Sequence, residues 1–325
     1  MVSKKFWKNK KVLVTGHVGF LGSWITNTLL ESGAKVVGLD IVKRPKGSIL
    51  NYKSKNLRSI KADVANLKIL LKIVSTYKPQ IIFHLAAEAI VSRANKNPLR
   101  AFKSNIEGTW NILEIARKRK SIQAIVMASS DKAYGAHETL PYKEEAALKG
   151  NHPYDASKSC ADLLAYTYYH TYGVPVCVTR CGNIFGPGDH NLSRIVPDAM
   201  RCVAKDKKLL IRSDGKFTRD YVYVEDIVKG YLLLAQMMKK LKLAGEAFNF
   251  SDENPLSVLD LVKKIYKIAG KKANYQIQNI AKYEIKHQYL ASGKSRRLLG
   301  WKPAYSLDAG IKKTIDWYTE FYKRK

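Results

Sequence analysis

"KVLVTGHVGFLGSWI" (residues 11–25) decides the fold. An apolar, β-branched run of strand type ends at Thr15. Gly16, Gly19 and Gly22 then recur at intervals of three, and a helical pattern begins near residue 21. A glycine turn between a strand and a helix lets the backbone close tightly. It also brings a helix N-terminus against an anionic group, as pyrophosphate sites require. Such turns also occur without a ligand, so the surroundings must decide.

Outward from this turn, short β-branched runs alternate with longer amphipathic stretches, the rhythm of a parallel sheet covered by helices. Strands are expected at 11–15, 35–39, 57–61, 80–84, 123–128 and 174–180, with helices near 21–32, 66–77, 98–118 and 154–172. Beyond 182 the rhythm loosens around turns such as "FGPGDH" (185–190), and helices are expected near 193–205, 224–240, 256–269 and 306–322. The layout predicts an α/β fold with a doubly wound parallel sheet of Rossmann type and a smaller, discontinuous C-terminal substrate lobe. The expected division puts 1–182 plus about 217–248 in the dinucleotide-binding domain, and about 183–216 with 249–325 in the lobe. A ligand cleft belongs at the carboxyl ends of such strands. The second strand leads to Asp40, placed to meet adenosine ribose hydroxyls; a carboxylate there repels a 2′-phosphate and so favours NAD over NADP. Lys43 and Arg44 pull the other way. Asp63 and Val64 follow the third strand, where Asp63 either meets the adenine or caps the next helix.

The 325 residues, 46% hydrophobic and 26% charged, describe a globular chain with enough length for a large core. No apolar run approaches the roughly 18–20 residues of a membrane helix; "IIFHLAAEAIV" (81–91) is interrupted by His84 and Glu88. The basic N-terminus passes straight into a strand without a leader-like core, so a cytoplasmic protein is expected. Cys160, Cys177, Cys181 and Cys202 show no metal-ligand spacing and read as reduced, structural thiols. A net charge of +30 raises the question of nucleic acid. The surplus is mostly lysine spread along the chain, without a nucleic-acid-binding motif, so no nucleic-acid or membrane partner is expected. A field that attracts an anionic small substrate is the milder consequence.

"YDASK" (154–158) places Tyr154 and Lys158 on one helix face, where an ammonium helps lower the pKa of a phenol acting as base. With the upstream glycine turn and the small hydroxyl residues of "MASSDKAYG" (127–135) between them, the chain resembles the extended short-chain dehydrogenase/reductase family. The resemblance is to its NAD-dependent nucleotide-sugar epimerases and dehydratases and covers nearly the whole length. It is carried by "VLVTGHVGFLGSWI", "IIFHLAAEA", "SNIEGTWNILEIAR", "SSDKAYG", "PYDASK", "TRCGNIFGPGD", "RIVPD", "RDYVYVEDIVKGYLLL" and "LLGWKPAYSLDAGI".

The resemblance implies NAD as cofactor, held by Gly16, Val18, Gly19, Phe20, Leu21, Gly22, Asp40, Asp63, Val64, Tyr154 and Lys158. Leu85, Ala86 and Ala87 would wall the nicotinamide, and Asn105 would support Lys158. Ser130 would hydrogen-bond the sugar O4 while Tyr154 removes its proton. Glu88, Asn183, Arg194 and Arg219 would hold the substrate, the last three at its nucleoside diphosphate, where planar guanidinium forks suit phosphate oxygens. The two arginines could equally be solvated surface residues. A homodimer, or a dimer of dimers, is implied, with the helices near 98–118 and 154–172 as its surface.

Asp131 and Lys132 separate the possible reactions. All members of this kind oxidise C4. A 4-epimerase then needs no further acid or base, whereas a 4,6-dehydratase must remove the C5 proton and protonate the departing C6 hydroxyl, with hydride returning to C6. "SSDKAYG", the histidine of "TGHVGF" and the "GN" of "RCGNIFG" resemble CDP-glucose 4,6-dehydratases most. The expectation is a lyase with Asp131 as acid and Lys132 as base, or a pair sharing one proton. The alternatives are an ordinary Asp131–Lys132 salt bridge in a 4-epimerase of the UDP-glucose kind, and a catalytically silent nucleotide-binding protein of this fold.

Overall fold

A computed structural model describes residues 1–43, 47–281 and 284–323; Arg44 lies outside the described residues. Seven strands among them form one parallel sheet: β1 (Lys11–Thr15), β2 (Lys35–Asp40), β3 (Leu57–Lys61), β4 (Ile81–His84), β5 (Ala124–Ala128), β6 (Val176–Cys181) and β7 (Ala247–Phe250). The spatial order is β7-β6-β5-β4-β1-β2-β3, so the chain winds outward in both directions from the β1/β4 junction. That junction is the switch point at which open α/β sheets bind ligands. β7, unforeseen in the sequence, extends the sheet by pairing in parallel with β6.

The inner strands are largely apolar on both faces because both faces are covered. Val12, Val14, Phe83 and Val126 point into a core shared with α1 (Phe20–Glu31) and the later helix Val224–Met237. Leu13, Ile82, Ile125 and Met127 face the opposite core under α2 (Leu67–Tyr77), α3 (Gly108–Arg117) and α4 (Pro153–Tyr172). The continuous helix expected over 98–118 is interrupted. A short helical turn, Pro98–Phe102, leads into a π-helical stretch, Lys103–Glu107, before α3 begins. At Gly108 a Cβ would lie 2.6 Å from Val64 Cγ2, so the chain there runs hard against the strand end. Later in the chain come the helices Ile195–Lys205, Val258–Ile268 and Leu307–Lys323 and short strands including Thr218–Arg219 and His287–Gln288.

A buried chain of hydrogen bonds ties the central strand ends together. Thr15 Oγ1 accepts from the backbone N–H groups of Leu85 (3.1 Å) and Ala86 (3.2 Å). Its own hydrogen is therefore available for His84 Nδ1 at 2.8 Å. On the far side Thr109 donates to the Asn105 carbonyl at 2.7 Å, so it accepts from His84 Nε2–H at 3.2 Å. Every proton in the chain has one place, and His84 is the neutral Nε2–H tautomer. Burial, aided by the nearby Lys158 charge, pushes its pKa down to about 3.

The folded value lies below the ordinary 6.5, so the unfolded chain binds the extra proton. The stability conferred by neutral His84 is complete above pH 6.5 and is lost as pH falls toward 3. Urea unfolding at pH 7 and pH 5 should show a loss of about 2 kcal/mol from this group. His84→Gln, which keeps a donor and an acceptor without titrating, should lose less over that interval by the same amount.

Candidate active site

A cleft of about 810 Å³ opens at the carboxyl ends of the strands. At one end is the glycine turn. Gly16 has φ +73°, and a Cβ there would lie 2.8 Å from Ala86 N; a Cβ on Gly22 would lie 2.0 Å from Gly16 O. Only glycine permits both the backbone conformation and the approach. Val18, Gly19, Phe20 and Leu21 line the cleft with them, as do Leu85, Ala86 and Ala87 across the β1/β4 junction. Asp40 ends β2 in the same wall, its carboxylate accepting from Val18 N (3.4 Å) and Val42 N (3.1 Å). Asp63 and Val64 line the cleft too. The helix cap open to Asp63 in the sequence belongs instead to Asn66, which accepts from Ile69 N, while Asp63 closes a turn onto Ala65 N at 2.9 Å. His17 lies beneath the turn, its Nε2 2.7 Å from Ser59 Oγ, and its ring fills the space a Cβ on Gly38 would need.

The middle of the cleft gathers Ser130, Asp131, Lys132, Tyr154 and Lys158. Ser130 caps a 3₁₀ turn, Asp131–Tyr134, with its hydroxyl accepting from Lys132 N and donating to Asp131 Oδ1 at 3.0 Å. Tyr154 and Lys158 sit one turn apart on α4, which starts with Pro153 at its first position and ends on left-handed Gly173, as helix signals prescribe. The Lys158 ammonium donates to Ala128 O at 2.7 Å and lies 6.0 Å from the Tyr154 ring centre. Burial dominates the electrostatics here. It lowers Lys158 to about 8, against the pull of Asp162, and raises the Tyr154 phenol to about 12, against a hydrogen bond with Ser130 and the charge of Arg194. Burial likewise raises Asp131, with Lys132 and Arg219 opposing. No ion pair joins Asp131 to Lys132: the carboxylate turns to Ser130 instead, so the ordinary salt bridge is not formed.

Glu88, Asn183, Arg194 and Arg219 line the remainder. Of the two arginines, Arg194 is exposed and Arg219 is not. Arg194 pairs with buried Asp189 at 3.2 Å. Arg219 is buried, donating to the carbonyls of Thr218 (2.8 Å), Lys286 (3.0 Å) and Ile285. Asn105 alone stands apart from the expected set. It is buried outside the cleft wall, accepting from Glu88 N at 2.7 Å and donating to Ser157 Oγ at 2.8 Å. It therefore braces the backbone around Glu88 and the first turn of α4, not the Lys158 ammonium; the π-helical stretch that carries it is what sets it there. Asp155 is a cleft residue the sequence reading passed over, because an acid in the first turn of a helix is ordinary.

The turn bearing Ser130–Lys132 is anchored from behind. Arg180 on β6 makes a buried bidentate pair with Asp162 of α4 at 2.8 and 3.2 Å and also donates to Tyr134 OH and Glu144 O. Tyr134 in turn donates to Asn249 at 2.8 Å. Removing one partner leaves a buried charge uncompensated, so Arg180→Met should cost about 3–5 kcal/mol, read from the denaturant midpoint.

The comparisons with known proteins agree with this geometry. The family described as GDP-mannose 4,6 dehydratase matches residues 13–314. The chain is 30% identical to CDP-glucose 4,6-dehydratase of Salmonella typhimurium, over 98% of this chain and 93% of that protein. It is 32% identical to UDP-glucuronate 4-epimerase of Thermodesulfobacterium geofontis, over 95% and 96%. Among solved structures, dTDP-glucose 4,6-dehydratase of Bacillus anthracis in complex with NAD superposes with a TM-score of 0.86 at 27% identity, covering 97% of this chain and 98% of that one. With the glycine turn, the Tyr154–Lys158 pair and a match over most of the chain, the chain belongs to the NAD-dependent epimerase/dehydratase family of extended short-chain dehydrogenases/reductases.

Proposed function

We propose that this protein is an NDP-hexose 4,6-dehydratase, forming an NDP-4-keto-6-deoxyhexose by a reaction like that of the CDP-glucose enzymes. The carrying observation is the buried carboxyl of Asp131 beside Lys132, next to Ser130, Tyr154 and Lys158. Oxidation at C4 has no use for this second acid/base pair, whereas elimination across C5 and C6 does.

The cofactor is NAD, which supplies reversible storage of hydride. The residues present fit it: the turn at Gly16 and Gly22 leaves no room for a Cβ, and the Asp40 carboxylate stands at the end of β2 for ribose hydroxyls. Tyr154 takes the O4 proton, with Ser130 holding O4. In the protein alone the phenol sits at about 12, so Tyr154 needs a positive charge brought into the cleft before it can serve as base near neutral pH. Lys132, as the free amine, removes the C5 proton, which the adjacent ketone acidifies; Asp131 gives its proton to the C6 hydroxyl, which leaves as water, and hydride then returns to C6 as Lys132 gives the proton back to C5. Burial keeps Asp131 closer to the protonated form this role needs. Asn183, Arg194 and Arg219 serve the diphosphate, within a substrate lobe built from about 183–216 and 249–325.

A second reading, an NDP-sugar 4-epimerase, has the support of the 32% identical UDP-glucuronate 4-epimerase. In that case Asp131 and Lys132 only shape the pocket.

Weighing the products formed from CDP-, dTDP-, GDP- and UDP-hexoses separates the two. Loss of one water from one of them is expected, whereas an unchanged mass with inverted C4 means epimerisation. Lys132→Ala should slow water loss about 10²–10⁴-fold while C4 oxidation stays visible as reduced-nicotinamide absorbance; dehydration at the normal rate would remove Lys132 from the mechanism.

A second copy of the chain is the partner proposed. Leu99 (78% exposed) and Trp110 stand out near the π-helical stretch, and Leu163 and Tyr166 (58% each) stand out from α4, an apolar surface that suits a helix-to-helix dimer. Sedimentation should show a dimer that Leu163→Glu with Tyr166→Glu converts to monomer. A monomeric wild type overturns this assembly.

A further inference from the structure

The Ser130 hydroxyl has one hydrogen and two lone pairs to distribute. Lys132 N–H donates to it at 3.2 Å, and its own hydrogen goes to Asp131 Oδ1 at 3.0 Å. The Tyr154 phenol also hydrogen-bonds Ser130. With its hydrogen committed to Asp131, Ser130 is left to this phenol, and to a substrate O4 hydroxyl, only as an acceptor. C4 oxidation needs the reverse polarity, because O4 is losing its proton and calls for a donor. Asp131 decides which partner keeps the hydrogen. A carboxylate holds it by a charge-assisted bond, about twice as strong as a neutral one; a protonated carboxyl gives it up. Asp131 is buried beside Ser130 in the cleft wall. Lys132 on its own turn and Arg219 from the strand Thr218–Arg219 favour its charge. Asp220 and, from α4, Asp155 oppose it. Tyr154, Tyr142 and Cys181 of β6 face it as neutral groups.

On the dehydratase reading, on which this inference rests, Asp131 must be protonated before water can leave from C6. We propose that the Ser130–Asp131 hydrogen bond ties the two halves of the reaction together: C4 is oxidised only while Asp131 holds the proton that it later gives to the C6 hydroxyl. With Asp131 protonated, Ser130 turns its hydrogen to O4. The O4 proton passes to the Tyr154 phenolate, the hydride passes from C4 to NAD, and the C4 ketone is left with Ser130 donating to it. With Asp131 ionised, the hydrogen stays on the carboxylate and the C4 step lacks its donor. A ketone is therefore made only beside a loaded acid. The residue that separates elimination from epimerisation thus acts, through Ser130, on the first step as well.

The C4 step is read alone with the 6-deoxyglucose esters of CDP, dTDP, GDP and UDP, which have no C6 hydroxyl to lose. Stopped flow follows reduced-nicotinamide absorbance after the NAD-loaded protein is mixed with the ester that reacts fastest, from about pH 5 to 9. Asp131→Asn and Asp131→Ser are neutral at every pH and keep Tyr154, so dividing their rates by the wild-type rate removes the titration of Tyr154. Circular dichroism and melting check the folding of each variant. The ratio should climb by about 10²-fold toward alkaline pH, the worth of one donor at a developing oxyanion. In a Ser130→Ala background the same ratio should stay nearly flat, because no hydrogen is left to redirect. A flat ratio with Ser130 present overturns the proposal. So does an equal climb without Ser130, which means that the charge of Asp131 acts through space, and so does the lack of any absorbance change with all four esters. Product mass from the parent hexoses tests the dehydratase reading separately. A Ser130-dependent climb without water loss refutes that reading and leaves the hold of Asp131 on Ser130 standing; water loss with a flat ratio does the reverse.

Discussion

The hydrogen-bond chain from Thr15 through His84 and Thr109 to Asn105 is the constraint from which the site is built. It joins the ends of β1 and β4, the two strands at which the winding reverses. A parallel sheet leaves its strand ends with backbone groups to satisfy, and here buried side chains satisfy them in a single proton order. The Leu85–Ala86 backbone is drawn onto Thr15, which places that wall of the cleft directly against Gly16. The other end of the chain reaches the Asn105 backbone, whose side chain binds Glu88 and Ser157. Ser157 donates to the carbonyl of Tyr154 itself at 2.7 Å. The glycine turn and the tyrosine thus belong to one connected, buried network.

Desolvation does for the chemistry what this network does for the geometry. Lys158 falls, Tyr154 and Asp131 rise, and each shift has burial as its largest cause. A site whose charges are destabilised in this way responds strongly to any charge brought into it. The +30 surplus of the whole chain favours the approach of an anionic substrate, while inside the cleft Asp131 and Asp155 stand among Lys132, Lys158 and Arg219.

Much of this was legible in the residues. The glycine spacing, the Tyr154–Lys158 interval and the β-branched alternation each depend on local geometry, and each recovers its element to within a residue or two. What the reading missed involves residues whose partners are remote. His84 was visible as an interruption in an apolar run, but its meaning depends on Thr15 and Thr109, 69 and 25 residues away. Asn105 was assigned to the lysine by resemblance alone, and its hydrogen bonds go to Glu88 and Ser157 because the π-helical stretch sets it there. β7 is a four-residue edge strand, Ala247–Phe250, recognised as part of the sheet only through its pairing with β6.

The sequence by itself determined the class of fold, the glycine turn and the one-face spacing of Tyr154 and Lys158, because helix and strand periods and backbone sterics act over a few residues. Only the tertiary structure decided that Asp131 turns to Ser130 and not to Lys132, and that Arg219 is buried among carbonyls. Those outcomes depend on which groups lose their water and which donors reach them, and burial is a property of the whole packed chain.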